Sequence, residues 1–159
     1  MSRWSGWVAV VALLLVACGR QTAAQSTTPA PYPTLDAAQV ERGRVLYQRY
    51  CASCHGANAE GAPGWPTPGP DGLEPAPPHD DSGHTWHHPD RVLYEVIRDG
   101  MRDPLKPDAP LRMPAWGDKL SDADMYALIE YFKSLWSAEH RQWQWEETRK
   151  HAASTPMPH

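Results

Sequence analysis

The feature that most constrains this chain is the pentapeptide Cys51-Ala52-Ser53-Cys54-His55. Cys-x-x-Cys-His is the attachment pattern of a c-type haem, because the two thiols lie one helical turn apart and each can add to one vinyl group of the same porphyrin edge. The adjacent His55 imidazole then reaches the iron from one face. The motif therefore predicts one haem c, held covalently by two thioethers through Cys51 and Cys54, with His55 as an axial ligand.

Two other uses of a Cys-x-x-Cys pair fit the sequence less well. A structural zinc site needs four ligands, and the chain has no second cysteine pair to complete a tetrahedron. A thioredoxin-like dithiol requires a hydrophobic strand before the motif, and the preceding residues do not form one. Composition also favours a haem: with 17 prolines and one phenylalanine in 159 residues, a large protein-only core is not expected, and a macrocycle would supply apolar surface.

The first 17 residues are predicted to be an export signal. Arg3 gives a short positive region, and residues 7–17 form an apolar run that is too short for a bilayer, which needs about 20 residues. Val16 and Ala17 directly precede Cys18, as in a bacterial lipobox, where the peptidase cuts before a lipidated cysteine. Because both motif cysteines are assigned to the haem, Cys18 has no disulfide partner left. An ordinary signal peptide with a coincidental cysteine is the alternative.

Lipidation of Cys18 would also fix the location of the protein. Several acyl chains on one terminus exceed the roughly two signals that stable anchoring requires. Residues 18–35 are polar and rich in Thr, Ala, Gln and Pro, so they are predicted to form a flexible tether. We expect an exported protein, lipid-anchored to a bacterial membrane, with its haem domain on the periplasmic or extracellular side. The sequence leaves open which membrane holds it.

Three main helices are predicted around the haem motif. The first runs from about Asp36, or from a cap at Thr34, to the motif cysteines. The second lies between Pro89, at the first helical position, and Gly100 just past its end. The third begins at Ser121 with a capping-box pattern. Their apolar stripes are Val40, Gly43, Tyr47 and Tyr50, then Val92, Leu93, Val96 and Ile97, and last Met125, Leu128, Ile129, Phe132, Leu135 and Trp136.

Together these residues resemble the class I cytochrome c family in its small bacterial lipoprotein form. The resemblance covers about residues 36–136 and implies an all-α fold, with three main helices around one covalently bound haem and long Pro/Gly-rich loops. It also implies that the first and last helices cross closely at Gly43, Tyr47 and Tyr131. The alternative is that Gly43 is an exposed, helix-weakening residue that costs about 1 kcal/mol relative to alanine. Residues 137–150 are predicted to be a helical extension and residues 151–159 a disordered tail.

The second axial ligand is predicted to be Met113. This residue precedes a proline in the loop between the second and third helices, where family members place their ligand methionine. Met101 is the main rival, while Met125 belongs to a helix face and Met157 to the tail. A thioether ligand raises the reduction potential relative to bis-histidine ligation, and it leaves no open position for a substrate. His55 and Met113 would then form the coordination sphere of an electron carrier.

A long Pro/Gly-rich segment, residues 56–86, is expected to wrap over the haem. A second concentration of histidines lies at its end and just beyond it, within residues 77–88. One interpretation is an independent metal site, for example for copper, since imidazole suits that metal. The other interpretation places His88 at a helix N-cap and Trp86 over a haem edge or propionate. The sequence does not decide between them for these histidines: His79, His84, His87 and His88.

The sequence favours a carrier of single electrons rather than an enzyme. Expected partners are a quinol-oxidising complex, a terminal oxidase or a copper protein. With 19 acidic against 15 basic residues, nucleic acid is not an expected partner, and a lysine-ringed haem edge is not evident. A gas sensor or small peroxidase with a weak Met113 bond is one alternative. An electron-accepting subunit of a particular dehydrogenase, docked through Trp143 and Trp145, is another. Reduction potential and oligomeric state stay open.

Overall fold

The computed structural model describes residues 31–102 and 112–154. Within those ranges every regular element is helical, apart from one isolated bridge between Met101 and Met113. The predicted all-α fold is therefore confirmed. The elements are α1 (Ala37–Tyr50), α2 (Ala52–His55), a 3₁₀ turn (Thr85–His87), α3 (Asp90–Asp99), α4 (Asp122–Ser134) and α5 (Ala138–Ser154).

Several sequence-based expectations fall outside this part of the chain. They concern the signal peptide 1–17, the lipidated Cys18, most of the tether 18–35, and Met157 with the end of the tail. In the described ranges no helix combines the length and the apolarity that crossing a bilayer requires.

Helix α1 begins where the sequence predicts. The Asp36 carboxylate accepts hydrogen bonds from the amides of Ala38 and Gln39, at 2.8 and 3.2 Å, so Asp36 rather than Thr34 is the N-cap. The helix ends at the first haem-motif cysteine, whose amide donates to the Tyr47 carbonyl oxygen at 2.9 Å. The motif is thus fixed to the last turn of a long helix.

The crossing of α1 and α4 forms the centre of the core. A Cβ atom on Gly43 would overlap the carbonyl oxygen of Ala127 and lie 2.8 Å from the Tyr131 Cβ, so only glycine permits this approach. One turn later, the Tyr47 and Tyr131 rings lie 5.3 Å apart. The predicted crossing at these residues is confirmed, and Gly43 is buried rather than exposed.

Helices α3 and α4 have clear start and stop signals, with two differences from prediction. Pro89 is the N-cap of α3 rather than its first helical residue, and Gly100 ends α3 with a φ of +72°. Ser121 and Asp124 form the predicted capping box of α4. However, α4 ends at Ser134, before the last two residues of the predicted apolar stripe, Leu135 and Trp136.

Helix α5 is a separate helix rather than a continuation of α4. The Ser137 amide donates to both oxygens of the Asp81 carboxylate, at 2.9 and 3.0 Å, where the chain turns. Gln144 is buried and donates to the Asp90 carboxylate at 2.7 Å. The helix runs to Ser154, so residues 151–154 are helical and do not belong to a disordered tail.

Candidate haem site

The haem motif forms one tight helical turn at the end of α1. The amides of Cys54 and His55 donate to the Cys51 carbonyl oxygen at 3.1 and 3.0 Å. Cys51 is buried and Cys54 is exposed, and both are free thiols. Burial, with a smaller contribution from the Cys54 sulfur, raises the pKa of the Cys51 thiol to about 12. Cys51 is therefore a protonated thiol at neutral pH, with no disulfide to compete for it.

The position of the His55 ring is set by a backbone hydrogen bond. Its Nδ1 lies 2.8 Å from the Pro77 carbonyl oxygen, which can only accept, so Nδ1 carries the proton. Burial lowers the pKa of His55 despite the opposing effect of this hydrogen bond. The neutral imidazole therefore keeps a lone pair on Nε2, the atom that a metal ion would bind.

The motif opens into an apolar cleft. The cavity that its lining atoms enclose has a volume of about 50 Å³. Leu93 and Ile97 of α3 and Phe132 of α4 form apolar walls, and Cys51 and His55 line the same space. An apolar cleft with a thiol, and with an imidazole whose outer nitrogen is already hydrogen-bonded, fits a haem.

Met113 lines this cleft, and Met101 does not. The two methionines pair through an antiparallel bridge, with the Met101 amide 3.0 Å from the Met113 carbonyl oxygen. Met101 nevertheless has 44% of its side chain exposed. A Cβ on Gly100 would lie 2.5 Å from the Met113 oxygen, so glycine allows the methionine loop to approach α3. Met125 is packed in the core, outside the residues that line the cleft.

His79 is a cleft residue whose position the sequence did not predict. Its ring stacks on the His55 ring, with centroids 4.2 Å apart and planes at 27°. On its other side it stacks on Phe132, with centroids 4.4 Å apart. Because His79 and His55 lie side by side, they cannot bind one iron from opposite faces in this arrangement. Burial, followed by the nearby His55 and His84, holds the pKa of His79 well below its usual range.

The other three histidines of this group are not among the residues that line the cleft. Trp86 packs between the rings of His87 and His140, with centroids 3.7 Å apart on each side. It therefore contacts α5 and is not among the residues that line the cleft. His88 directly precedes the Pro89 N-cap of α3. No three His, Cys, Asp or Glu side chains within residues 31–102 and 112–154 come together as a metal site.

A cationic and aromatic surface adjoins the cleft, and the sequence analysis missed it. Arg49 lies over the Tyr50 ring, at 5.2 Å from its centroid, and Lys119 lies over Trp116 at 5.1 Å. The Tyr50 and Trp116 rings contact each other at 5.3 Å, and Trp116 lines the cleft. We call these four residues the cationic rim. The sequence gives only a weak signal for this surface, because its two residue pairs, 49–50 and 116–119, are more than 60 positions apart.

Comparison with known proteins defines the class of this protein as a class I c-type cytochrome. A family model described as cytochrome C oxidase, cbb3-type, subunit III matches residues 38–132, which is more than half of the chain, and the chain belongs to this family. Two relatives are 32% identical over about 100 residues: the Cbb3-type cytochrome c oxidase subunit CcoP of Azospirillum sp. (strain B510) and that of Azospirillum brasilense. The alignments cover 63% of this chain and 30% of each relative. The matched residues include the motif, the cleft and Met113, and they end before α5.

Proposed function

We propose that this protein is a membrane-anchored monohaem cytochrome that carries single electrons between respiratory redox partners. The observation that carries the proposal is the cleft itself, in which Cys51, His55 and Met113 line one apolar space. Thiol, imidazole and thioether are the groups that a c-type haem with His/Met ligation requires. Family membership supports the same cofactor.

Each of these residues has a defined task in the proposal. Cys51 and Cys54 hold the porphyrin through two thioethers, and the Pro77 carbonyl oxygen orients His55 so that Nε2 is available. Met113 would supply the thioether ligand, and this ligation would leave no site for a substrate. The walls from α3 and α4 exclude water. The bound haem supplies a one-electron couple, and the protein transforms no substrate.

The cationic rim supports an acidic redox partner. Neither Arg49 nor Lys119 has a carboxylate partner among the described residues, whereas Arg42, Arg98 and Lys133 each contact at least one. Opposite charge on a partner would steer encounters toward this side of the cleft. A terminal oxidase is the partner class favoured by the names of the two relatives. This cationic rim has only two unpaired cations, so it differs from a ring of lysines.

An absorption spectrum of both oxidation states, with and without carbon monoxide, tests the carrier proposal. A carrier with a closed sixth position should show a low-spin spectrum and bind carbon monoxide poorly at neutral pH. A gas sensor or peroxidase needs that position open or easily opened. Rapid and stoichiometric carbon monoxide binding by the wild-type protein would therefore overturn the carrier proposal in favour of that alternative.

The proposed anchor is the lipidated Cys18, and it is tested separately. Cys18→Ser should move the protein from the membrane fraction to the soluble exported fraction without changing its absorption spectrum. Mass spectrometry of the mature N-terminus provides the direct measurement. An N-terminal mass without acyl chains would contradict the anchor, and the electron-transfer proposal would be unaffected.

A further inference from the structure

We propose that His79 is a positioning residue that fixes the plane of the His55 ring and thereby the electronic state of the iron. The inference rests on the proposed ligation of the iron by His55. The Pro77 hydrogen bond holds one atom of the His55 ring, the Nδ1. A single hydrogen bond leaves the ring free to tilt around it. The face of His79, stacked at 4.2 Å, is the contact that restricts this tilt.

His79 suits this role because its own position is fixed from several directions. Its amide donates to the Ala59 carbonyl oxygen at 2.8 Å, and its carbonyl oxygen accepts from the Trp136 indole at 2.8 Å. Phe132 stacks on the ring face opposite to His55. The ring is therefore anchored to the segment before it, to the turn after α4 and to α4 itself, and it forms a rigid wall beside the axial imidazole.

The choice of histidine at this position has a hydrogen-bonding reason. The His79 Nδ1 lies 2.8 Å from the Thr85 hydroxyl oxygen, and that hydroxyl lies 3.2 Å from the Pro78 carbonyl oxygen. The hydroxyl donates its one proton to Pro78, so it accepts from the His79 Nδ1. This bond fixes the rotation of the His79 ring about its own axis. An aliphatic residue of similar size would fill the same space without defining a plane.

The two imidazoles are thus oriented by consecutive carbonyl groups of one dipeptide. Pro77 accepts from His55 directly, and Pro78 accepts from the threonine that holds His79. The sequence Pro77-Pro78-His79 therefore acts as one unit, in which proline stiffness limits the movement of both acceptors. A core-filling role for His79 would need none of these contacts.

The test measures electron paramagnetic resonance of the ferric holoprotein together with its midpoint potential. Wild type should give one sharp low-spin species. His79→Phe keeps an aromatic face but loses the hydrogen bond to Thr85, so it should broaden the signal only slightly, while His79→Leu should give a broadened or second species and a shifted potential. Thr85→Val, which releases the His79 ring, should broaden the signal less. His84→Leu, at an exposed histidine outside the cleft, is the matched control and should match wild type.

The outcomes separate this inference from the proposed function. A wild-type protein without a low-spin His/Met spectrum would overturn the ligation, and the inference with it. Wild-type signals and potentials in both His79→Leu and Thr85→Val would overturn the positioning role alone. Broadening of the resonance signal in His84→Leu as well would indicate that any substitution in this segment loosens the site, and this result would also overturn the positioning role of His79. If His79→Leu does not assemble with haem, Thr85→Val decides by the same readout.

Discussion

The cleft and the contact between the 3₁₀ turn and α5 are built from the same residue types and serve different purposes. In the cleft, His55 and His79 stack on each other, and their Nδ1 atoms are bound to the chain. At the α5 contact, His140 stacks on Trp86 and its Nδ1 lies 2.7 Å from the Asp81 carboxylate. In the cleft a neutral carbonyl oxygen orients His55, the proposed ligand, beside an apolar space, whereas at the α5 contact a carboxylate holds His140 as a structural link.

The two regions also differ in their relation to the family. The cleft lies inside the matched residues 38–132, and α5 lies beyond them. Aromatic density alone therefore does not identify the functional site. We expect substitutions in the cleft to remove the cofactor or its ligands, and substitutions at the α5 contact to change stability only slightly.

The largest expected effect is at the thiols of the haem motif. Cys54→Ala should nearly abolish the accumulation of holoprotein, because one thioether and the proper seating of the porphyrin are lost. Haem staining after denaturing electrophoresis measures covalent attachment. Ser53→Ala, inside the same motif, is the control and should stain like wild type. Acid-acetone extraction that removes haem from the wild-type chain would contradict covalent attachment.

The next effect is at the helix crossing that supports the cleft. Gly43→Ala should lower the free energy of unfolding by about 3 kcal/mol, because the added Cβ forces the α1 and α4 backbones apart. At an exposed helical position the same change would raise the free energy of unfolding by roughly 1 kcal/mol. The sign of the change therefore distinguishes a close helix crossing at Gly43 from an exposed glycine. Denaturant unfolding of the holoprotein gives the measurement. Val45→Ala, on the exposed side of α1, is the control.

A smaller effect, on ligation rather than on folding, separates the two paired methionines. Met113→Ala should open the sixth position, lower the reduction potential and allow carbon monoxide to bind the ferrous protein. Met101→Ala should leave the ligation, the reduction potential and the carbon monoxide binding nearly unchanged, because that side chain is exposed and outside the cleft. The reverse pattern in the two variants would move the proposed ligand to Met101.

What could be predicted from the sequence was what local signals encode. The Asp36 cap, the Ser121 capping box and the Gly100 terminus depend on residues within one or two turns. The haem motif is equally local. The Gly43 crossing is a long-range contact, and it was predicted through the family resemblance, with support from the position of Gly43 on the apolar stripe of the first helix. The cleft position of Met113 was expected from the same resemblance.

What could not be predicted depends on contacts between distant residues. The turn between α4 and α5 contains no glycine or proline. It is fixed by two hydrogen bonds to distant residues. The Ser137 amide donates to the Asp81 carboxylate, 56 positions away, and the Trp136 indole donates to the His79 carbonyl oxygen. The stacking of His79 on His55 has no local signature either, because a histidine after two prolines is compatible with many environments. Periodicity does not encode such partners.

The smallest expected effect tests whether the α5 contact is only a structural link. Partial burial opposes the Asp81 charge, but hydrogen bonds from the Ser137 amide and from His140 outweigh it and keep the pKa of Asp81 below its usual range. A carboxylate with a lowered folded-state pKa stabilises the protein above its unfolded pKa of about 4, and it loses this contribution as the pH falls through the folded value.

Asp81→Asn should therefore lower the free energy of unfolding at pH 7 by on the order of 0.5 kcal/mol, since the carboxylate is partly exposed. The difference from wild type should shrink below about pH 4. Asp118→Asn, at an exposed carboxylate before α4, is the control. A difference that persists undiminished at pH 3 would show that the charge of Asp81 is not its cause, and a change in the haem spectrum would connect the two regions.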